Sequence, residues 1–154
     1  MKRVEIKPAS KEEVLFVADR LREADRQEVA AMGVTPREGL LFSWQLSDYA
    51  WTGFIDGEPS MIFGCGKALN APVAEVWALG TDRCTSSPRE MLLYGRECVR
   101  MILDLYPDLQ NYCDARYTKA HKWLRKLGFQ VSEPEPRGVN GEKFCRITIS
   151  KGDI

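Results

Sequence analysis

The most reactive side chains in this sequence are five cysteines, Cys65, Cys84, Cys98, Cys113 and Cys145, and one histidine, His121. No two cysteines stand at the spacing of a metal-ligand pair, and one imidazole completes a zinc site with them only by long-range coincidence. The thiols are odd in number and fall at apolar phases of the chain. They read as small hydrophobes in a reducing compartment, and neither a disulfide nor a structural metal is expected. Carboxylates and hydroxyls remain for acid–base and ligand chemistry. Ser87-Pro88-Arg89-Glu90 has the form of a helix start, with Ser87 at N-cap, Pro88 at N1, and the Glu90 carboxylate at N3 reaching back to the Ser87 N–H. Four tryptophans, Trp44, Trp51, Trp77 and Trp123, are many for 154 residues. They either line a cleft or pack against the core and a sheet face.

Regular elements must position these groups. Val4-Glu5-Ile6-Lys7 alternates and stops at Pro8, as a short edge strand does. Ser10 and Glu13 form a capping box for a helix with Val14, Leu15, Ala18 and Leu21 at helical spacing. The pattern predicts one helix to about Met32, ended by Gly33, with a solvated charged face from Arg20 to Glu28. Thr35-Pro36 opens a second helix. Residues 49–55 and 59–66 read as strands about an Asp56-Gly57 turn. Ala71-Pro72 opens a further strand over 73–79. Its Val73, Val76, Ala78 and Leu79 form a nearly continuous apolar run, so residues 73–80 are expected at the centre of the sheet.

The helix from Ser87 places Met91, Leu92, Gly95, Cys98, Val99, Ile102, Leu103 and Tyr106 on one face and stops at Pro107. Residues 109–114 read as a strand, and 118–127 as a short helix closed by Gly128 with Phe129 behind it. Residues 129–131 and the alternating run 143–150 complete the list, with Pro134, Pro136 and Gly138 in a loop between them. The order β-α-α-β-β-β-α-β-α-β-β predicts an α/β (α+β) fold: a single domain over residues 1–154, with one mixed central sheet of six to seven strands and helices on both faces.

The 154 residues fit one domain, and 44% hydrophobic content supplies one core. With 22 Lys+Arg against 22 Asp+Glu the net charge is zero, which gives no electrostatic case for nucleic acid as a partner. No stretch approaches the ~20 apolar residues of a membrane span. The opening Met1-Lys2-Arg3-Val4-Glu5 lacks an apolar run, so no signal peptide is expected there. A soluble, cytoplasmic protein is expected.

The element order resembles the GNAT superfamily of acetyl-CoA N-acyltransferases. Two segments carry the resemblance. Ala120-His121-Lys122-Trp123-Leu124-Arg125-Lys126-Leu127-Gly128-Phe129 is similar to the family's late helix ending in Gly-Phe, and Val73-Ala74-Glu75-Val76-Trp77-Ala78-Leu79-Gly80 to its central strand. The resemblance implies that acetyl-CoA lies along that strand, at Trp77, Ala78 and Leu79, with its pyrophosphate at the following helix start, on Arg83, Ser86, Ser87 and Arg89. It implies Glu75 as general base, although an exposed strand carboxylate reads the same way. The family's late-helix tyrosine falls at Leu124, and Tyr117 or Tyr94 stands in for it. Asp82 and Asp114 lie beside the implied cleft and serve equally as helix or turn caps. Ser86 and Pro88 replace the small residues of the family's phosphate loop. With the Ser87–Glu90 capping box, this departure predicts weak acetyl-CoA affinity. An amine-bearing small molecule or protein would be the acceptor.

A narrower resemblance is to the GNAT-like internal virion protein A family of short-tailed phages and prophages. It rests on Ala24-Asp25-Arg26-Gln27-Glu28, Trp77-Ala78-Leu79-Gly80-Thr81-Asp82, Tyr106-Pro107-Asp108-Leu109-Gln110-Asn111 and Trp123-Leu124-Arg125-Lys126-Leu127-Gly128-Phe129. It implies a virion or accessory protein with phage proteins as partners and little or no catalysis. The two readings differ at the phosphate loop.

Overall fold

The computed structural model describes residues 1–67 and 73–154; the Ala71-Pro72 strand opening lies outside the described residues. The strands are β1 (Val4–Pro8), β2 (Tyr49–Ile55), β3 (Glu58–Gly66), β4 (Ala74–Gly80), β5 (Asp108–Asp114), β6 (Gln130–Val131), β7 (Glu135–Pro136) and β8 (Lys143–Ser150). They form one sheet in the order β1-β2-β3-β4-β5-β8-β6, with β7 paired to β8. β4 is central, as its apolar run predicts. It pairs antiparallel with β3 and parallel with β5, and the other pairings are antiparallel. The Asp56-Gly57 turn has φ of 49° and 81°, the left-handed pair a two-residue hairpin needs.

Helices α1 (Lys11–Ala18), α2 (Glu23–Ala31) and α3 (Pro36–Leu46) cover one face. There Val14, Val17, Leu21, Val29 and Leu40 pack on Ile62 and Leu79. A one-turn helix α4 (Asp82–Thr85) precedes α5 (Pro88–Leu105) and α6 (Thr118–Leu127). α5 and α6 build the larger core on the opposite face, through Val99, Ile102, Leu103, Leu124 and Leu127. α6 ends at Gly128, whose φ of 111° requires a residue without Cβ.

The single helix expected from Ser10 to Met32 is broken. Its N-terminal capping box forms as predicted, but the helix ends at Ala18. Leu21 makes an isolated bridge to Thr81, and the Arg22 N–H donates to the Gly80 carbonyl at 3.0 Å. Leu21, 3% exposed, fills the core beneath. A rung of sheet plus a buried leucine outweighs helical continuity, which local pattern alone cannot register. The break swings α2 across the C-terminal end of β4.

β2, β3 and β4 approach closely at Gly64. A Cβ there would lie 2.6 Å from the Tyr49 carbonyl and 3.0 Å from the Trp77 ring. Gly64→Ala is therefore expected to destabilise the fold by about 2 kcal/mol, the cost of overpacking against backbone that cannot yield. Urea denaturation would show it as a lower midpoint at unchanged slope; an unshifted midpoint would contradict this reading of the contact.

Candidate functional site

The site is made by a ladder that stops early. β4 and β5 pair only at Ala74–Leu109 and Glu75–Gln110. At the next rung the Asn111 side chain takes over, its Nδ2 donating to the Val76 carbonyl at 2.6 Å. Beyond it the strands diverge. At the far end, both backbone groups of Gly80 face the gap: its N–H donates to Asp25 Oδ2 at 2.7 Å and its carbonyl accepts from Arg22. Alternation then turns the N–H and C=O of Ala78 into the same gap, while those of Trp77 and Leu79 face β3.

A cavity of about 780 Å³ occupies this region and reaches both faces of the sheet. The α5 and α6 side contributes Met91, Tyr94, Cys98 and Ala120, and the α2 and α3 side contributes Met32, Val34, Phe42 and Ser43. The α2 break places three charged residues over the gap. Arg22 pairs with the buried Asp25 at 3.0 Å. Glu28 accepts the Asp114 N–H at 2.9 Å, satisfying the parted edge of β5 as Asp25 satisfies that of β4. The face expected to be solvated thus supplies the carboxylates that hold the gap. Burial, with the nearby Asp25 and Asp114 charges, pushes Glu28 up to about 7, against the pull of the Asp114 N–H.

Glu75 and Tyr117, named from the sequence, both line the cavity. The Glu75 side chain shares the α1–α3 face with Trp77, and partial burial raises its pKa while the Arg137 charge opposes the shift. Tyr117 sits at the N-cap of α6, with the Arg22 guanidinium 5.5 Å from its ring centre. Burial and the neighbouring Asp25 charge raise its pKa, so the phenol stays protonated. Tyr94 also lines the cavity. Asp114 is a turn cap: it accepts the Arg116 N–H at 2.9 Å and pairs with the Arg116 guanidinium. Asp82 opens α4, whose cap is Thr81.

The phosphate-loop residues do not adopt the expected arrangement. Ser87 makes no side-chain cap. Its Oγ accepts from the Lys2 ammonium at 2.8 Å, and the same ammonium donates to the Ser86 carbonyl at 2.7 Å. Glu90 accepts the Lys2 backbone N–H at 2.8 Å, which lowers its pKa. The capping box is replaced by contacts to a residue 85 positions away, while the Glu90 carboxylate and Pro88 stay in the first turn of α5. Arg83 Nε is engaged by Glu58 at 2.7 Å, and Arg89 is exposed on the first turn of α5.

Two features escaped the sequence reading. A pocket of about 530 Å³ opens between the start of α5 and α6, walled by Arg22, Lys119, Lys122 and Lys126 against Glu23 and Asp82. The three lysines repeat at i, i+3 and i+7, a legible stripe along one helix face. The second is Arg137, whose guanidinium lies 3.4 Å from the centre of the Tyr112 ring. Trp77 and Trp123 line the cavity and also pack, with their ring N–H groups on Ser47 Oγ and the Met91 carbonyl. The five thiols are free; burial pushes Cys65, Cys84 and Cys98 up to about 11. Among the described residues no three His, Cys, Asp or Glu side chains group as metal ligands, and no helix is long and apolar enough to cross a membrane.

No protein-family model matches the chain, and no curated protein is similar to it in sequence. Solved structures are similar in fold. A GNAT-family acetyltransferase from Bacillus anthracis superposes with a TM-score of 0.72 at 9% identity, covering 99% of each chain. An aminoglycoside acetyltransferase in complex with coenzyme A gives 0.65 at 14% identity, over 98% of this chain and 96% of that one. An aminoglycoside acetyltransferase in complex with ribostamycin and coenzyme A gives 0.64 at 13%, over 97% and 94%. The chain therefore has the GNAT acetyltransferase fold.

Proposed function

We propose that this protein is an N-acyltransferase that takes an acetyl group from acetyl-CoA and passes it to an amine. The observation that carries the proposal is the gap between β4 and β5, flanked by a carboxylate on the α1–α3 face, with a lysine-walled pocket beside it that shares Arg22, Met91, Tyr117, Ala120 and Trp123 with the cavity. An aminoglycoside acetyltransferase of the same fold is solved with coenzyme A and, in a second structure, with ribostamycin and coenzyme A. Fold alone does not fix activity, so the residues must carry the argument.

They fit the cofactor. The open rung at Ala78, between Trp77 and Leu79, presents an amide donor and acceptor to a pantetheine arm. The Lys119, Lys122 and Lys126 ammonium groups, with Arg89, meet its phosphates. Arg83, Ser86 and Ser87 stand at the same end but are held by Glu58 and Lys2. Bound there, acetyl-CoA supplies an activated thioester. Glu75 takes the proton that the attacking amine must lose, and its raised pKa improves it as a base near neutrality. Tyr117, kept protonated, donates to the leaving sulfur.

Calorimetric titration with acetyl-CoA tests this. Binding is expected, weakening as salt rises. Replacing Lys119 and Lys122 together by alanine is expected to weaken it about tenfold at low salt, the loss of two exposed charge-assisted contacts. An absence of binding would favour the second reading, a non-catalytic protein on this fold. The engagement of Arg83 and Ser87 by Glu58 and Lys2 is what speaks for weak binding.

A further inference from the structure

The cavity holds a guanidinium that contacts neither the acetyl donor nor the transferred proton in this reading. Glu75 faces Gln110 across β4 and β5, and Tyr112 lies two residues further along β5, diagonally across on the same face. Gln110 is committed to Arg146, which donates to its Oε1 at 2.8 and 3.2 Å. Arg137 stacks on Tyr112, and its charge acts on Glu75. Its backbone is fixed: the Arg137 and Gly138 N–H groups donate to the Glu142 carbonyl, and the Val139 N–H donates to that of Ala31 on α2. Its ion pair with Glu135 is loose, at 4.0 Å. An arginine held over an aromatic ring with one weak ion-pair partner is a preorganised carboxylate clamp.

Resting on the acetyltransferase reading, we propose that the acceptor is an α-amino acid with an apolar side chain: its amine meets Glu75, its carboxylate meets Arg137, and its side chain lies against Met32, Val34 and Phe42. A zwitterion satisfies both charges of the site. A plain amine leaves Arg137 unpaired beside the substrate's own positive charge, and a polyamine adds repulsion. The apolar wall is accessible, since Met32 is 51% and Phe42 64% exposed, and both line the cavity. Glu38, the other carboxylate on this wall, is tied to the Thr35 N–H and does not compete for Arg137.

The experiment uses matched pairs that differ only by the carboxylate: L-phenylalanine against phenethylamine, L-leucine against isoamylamine, and L-lysine against cadaverine. Thiol release from acetyl-CoA is followed for each. The expected kcat/KM is about 10- to 100-fold higher for phenylalanine and leucine than for their amines, the range of a charge-assisted bidentate contact. Arg137→Gln removes most of that ratio by raising KM for the acids; its effect on kcat through the Glu75 pKa is common to acids and amines and cancels in the ratio, and Arg137→Lys restores the ratio in part. Equal turnover of acids and amines, or a ratio unaffected by Arg137→Gln, overturns the proposal. If acetyl-CoA binds but neither series reacts, the acceptor class is wrong and the cofactor site stands. If acetyl-CoA does not bind, the acetyltransferase reading falls and this proposal with it.

Discussion

Glu75→Gln is expected to lower kcat for acetyl transfer by about 10²- to 10³-fold while leaving acetyl-CoA affinity within about twofold, because loss of a positioned general base costs rate rather than cofactor binding. Glutamine is nearly isosteric, so β4 keeps its pairing with β3 and its two rungs to β5. What disappears is the group that receives the amine proton. Partial burial holds Glu75 above the ordinary carboxylate range, with Arg137 opposing the shift. The parent rate should therefore fall on the acid side as pH drops through this raised pKa and the base becomes protonated. In the variant that limb should be absent, leaving a low, flat profile. Arg137→Gln removes the opposing charge and should shift the limb to higher pH. A Glu75→Gln enzyme with unchanged kcat and an intact acid limb would move the base elsewhere in the gap.

The second large effect concerns stability. Glu28 has a pKa pushed up to about 7 in the fold, against 4.5 for an unperturbed glutamate. Between those values the native state binds more protons than the unfolded chain, so folding is favoured on the acid side. The contribution is complete below pH 4.5 and is lost as pH rises through 7. At pH 8 an ionised Glu28 costs the fold about 3 kcal/mol relative to its protonated form, at ~1.4 kcal/mol per unit. Glu28→Gln keeps an oxygen for the Asp114 N–H and cannot ionise. The variant is expected to match the parent near pH 4 and to exceed it by up to about 3 kcal/mol at pH 8. Urea denaturation of both proteins at the two pH values checks this, since the difference between them cancels the other titrating groups. A gap between parent and variant that does not change with pH would refute it.

The hairpin at Asp56-Gly57, the capping box at Ser10 and the stop at Gly128 were all legible in the sequence, because each is decided within four or five residues. The central position of β4 was legible from its apolar run. What was not legible depends on distant partners. The α1–α2 break follows from contacts of Leu21 and Arg22 with Thr81 and Gly80. The Ser87 cap fails because Lys2 arrives from the far end of the chain. Asp25 and Glu28 resemble any charged helix face until α2 is placed over a gap whose strand edges need acceptors. Arg137, in a Pro- and Gly-rich loop, carries no periodic signal; only its stacking on Tyr112 reveals it. Glu75 could be named from the sequence, but the guanidinium that tunes it could not.

The two-rung join between β4 and β5 has a mechanical side as well. It leaves the sheet as two leaves bound along a short spine at Ala74–Leu109 and Glu75–Gln110, one leaf β1 to β4 and the other β5 to β8. α2 acts as a strap across the open side, gripping one leaf through Gly80 and the other through Asp114. Opening the leaves stretches two hydrogen bonds on the strap and the Asn111–Val76 bond beside the spine, while the spine stays intact. At its open end the gap is thus held by nine residues of helix rather than by the sheet that contains it.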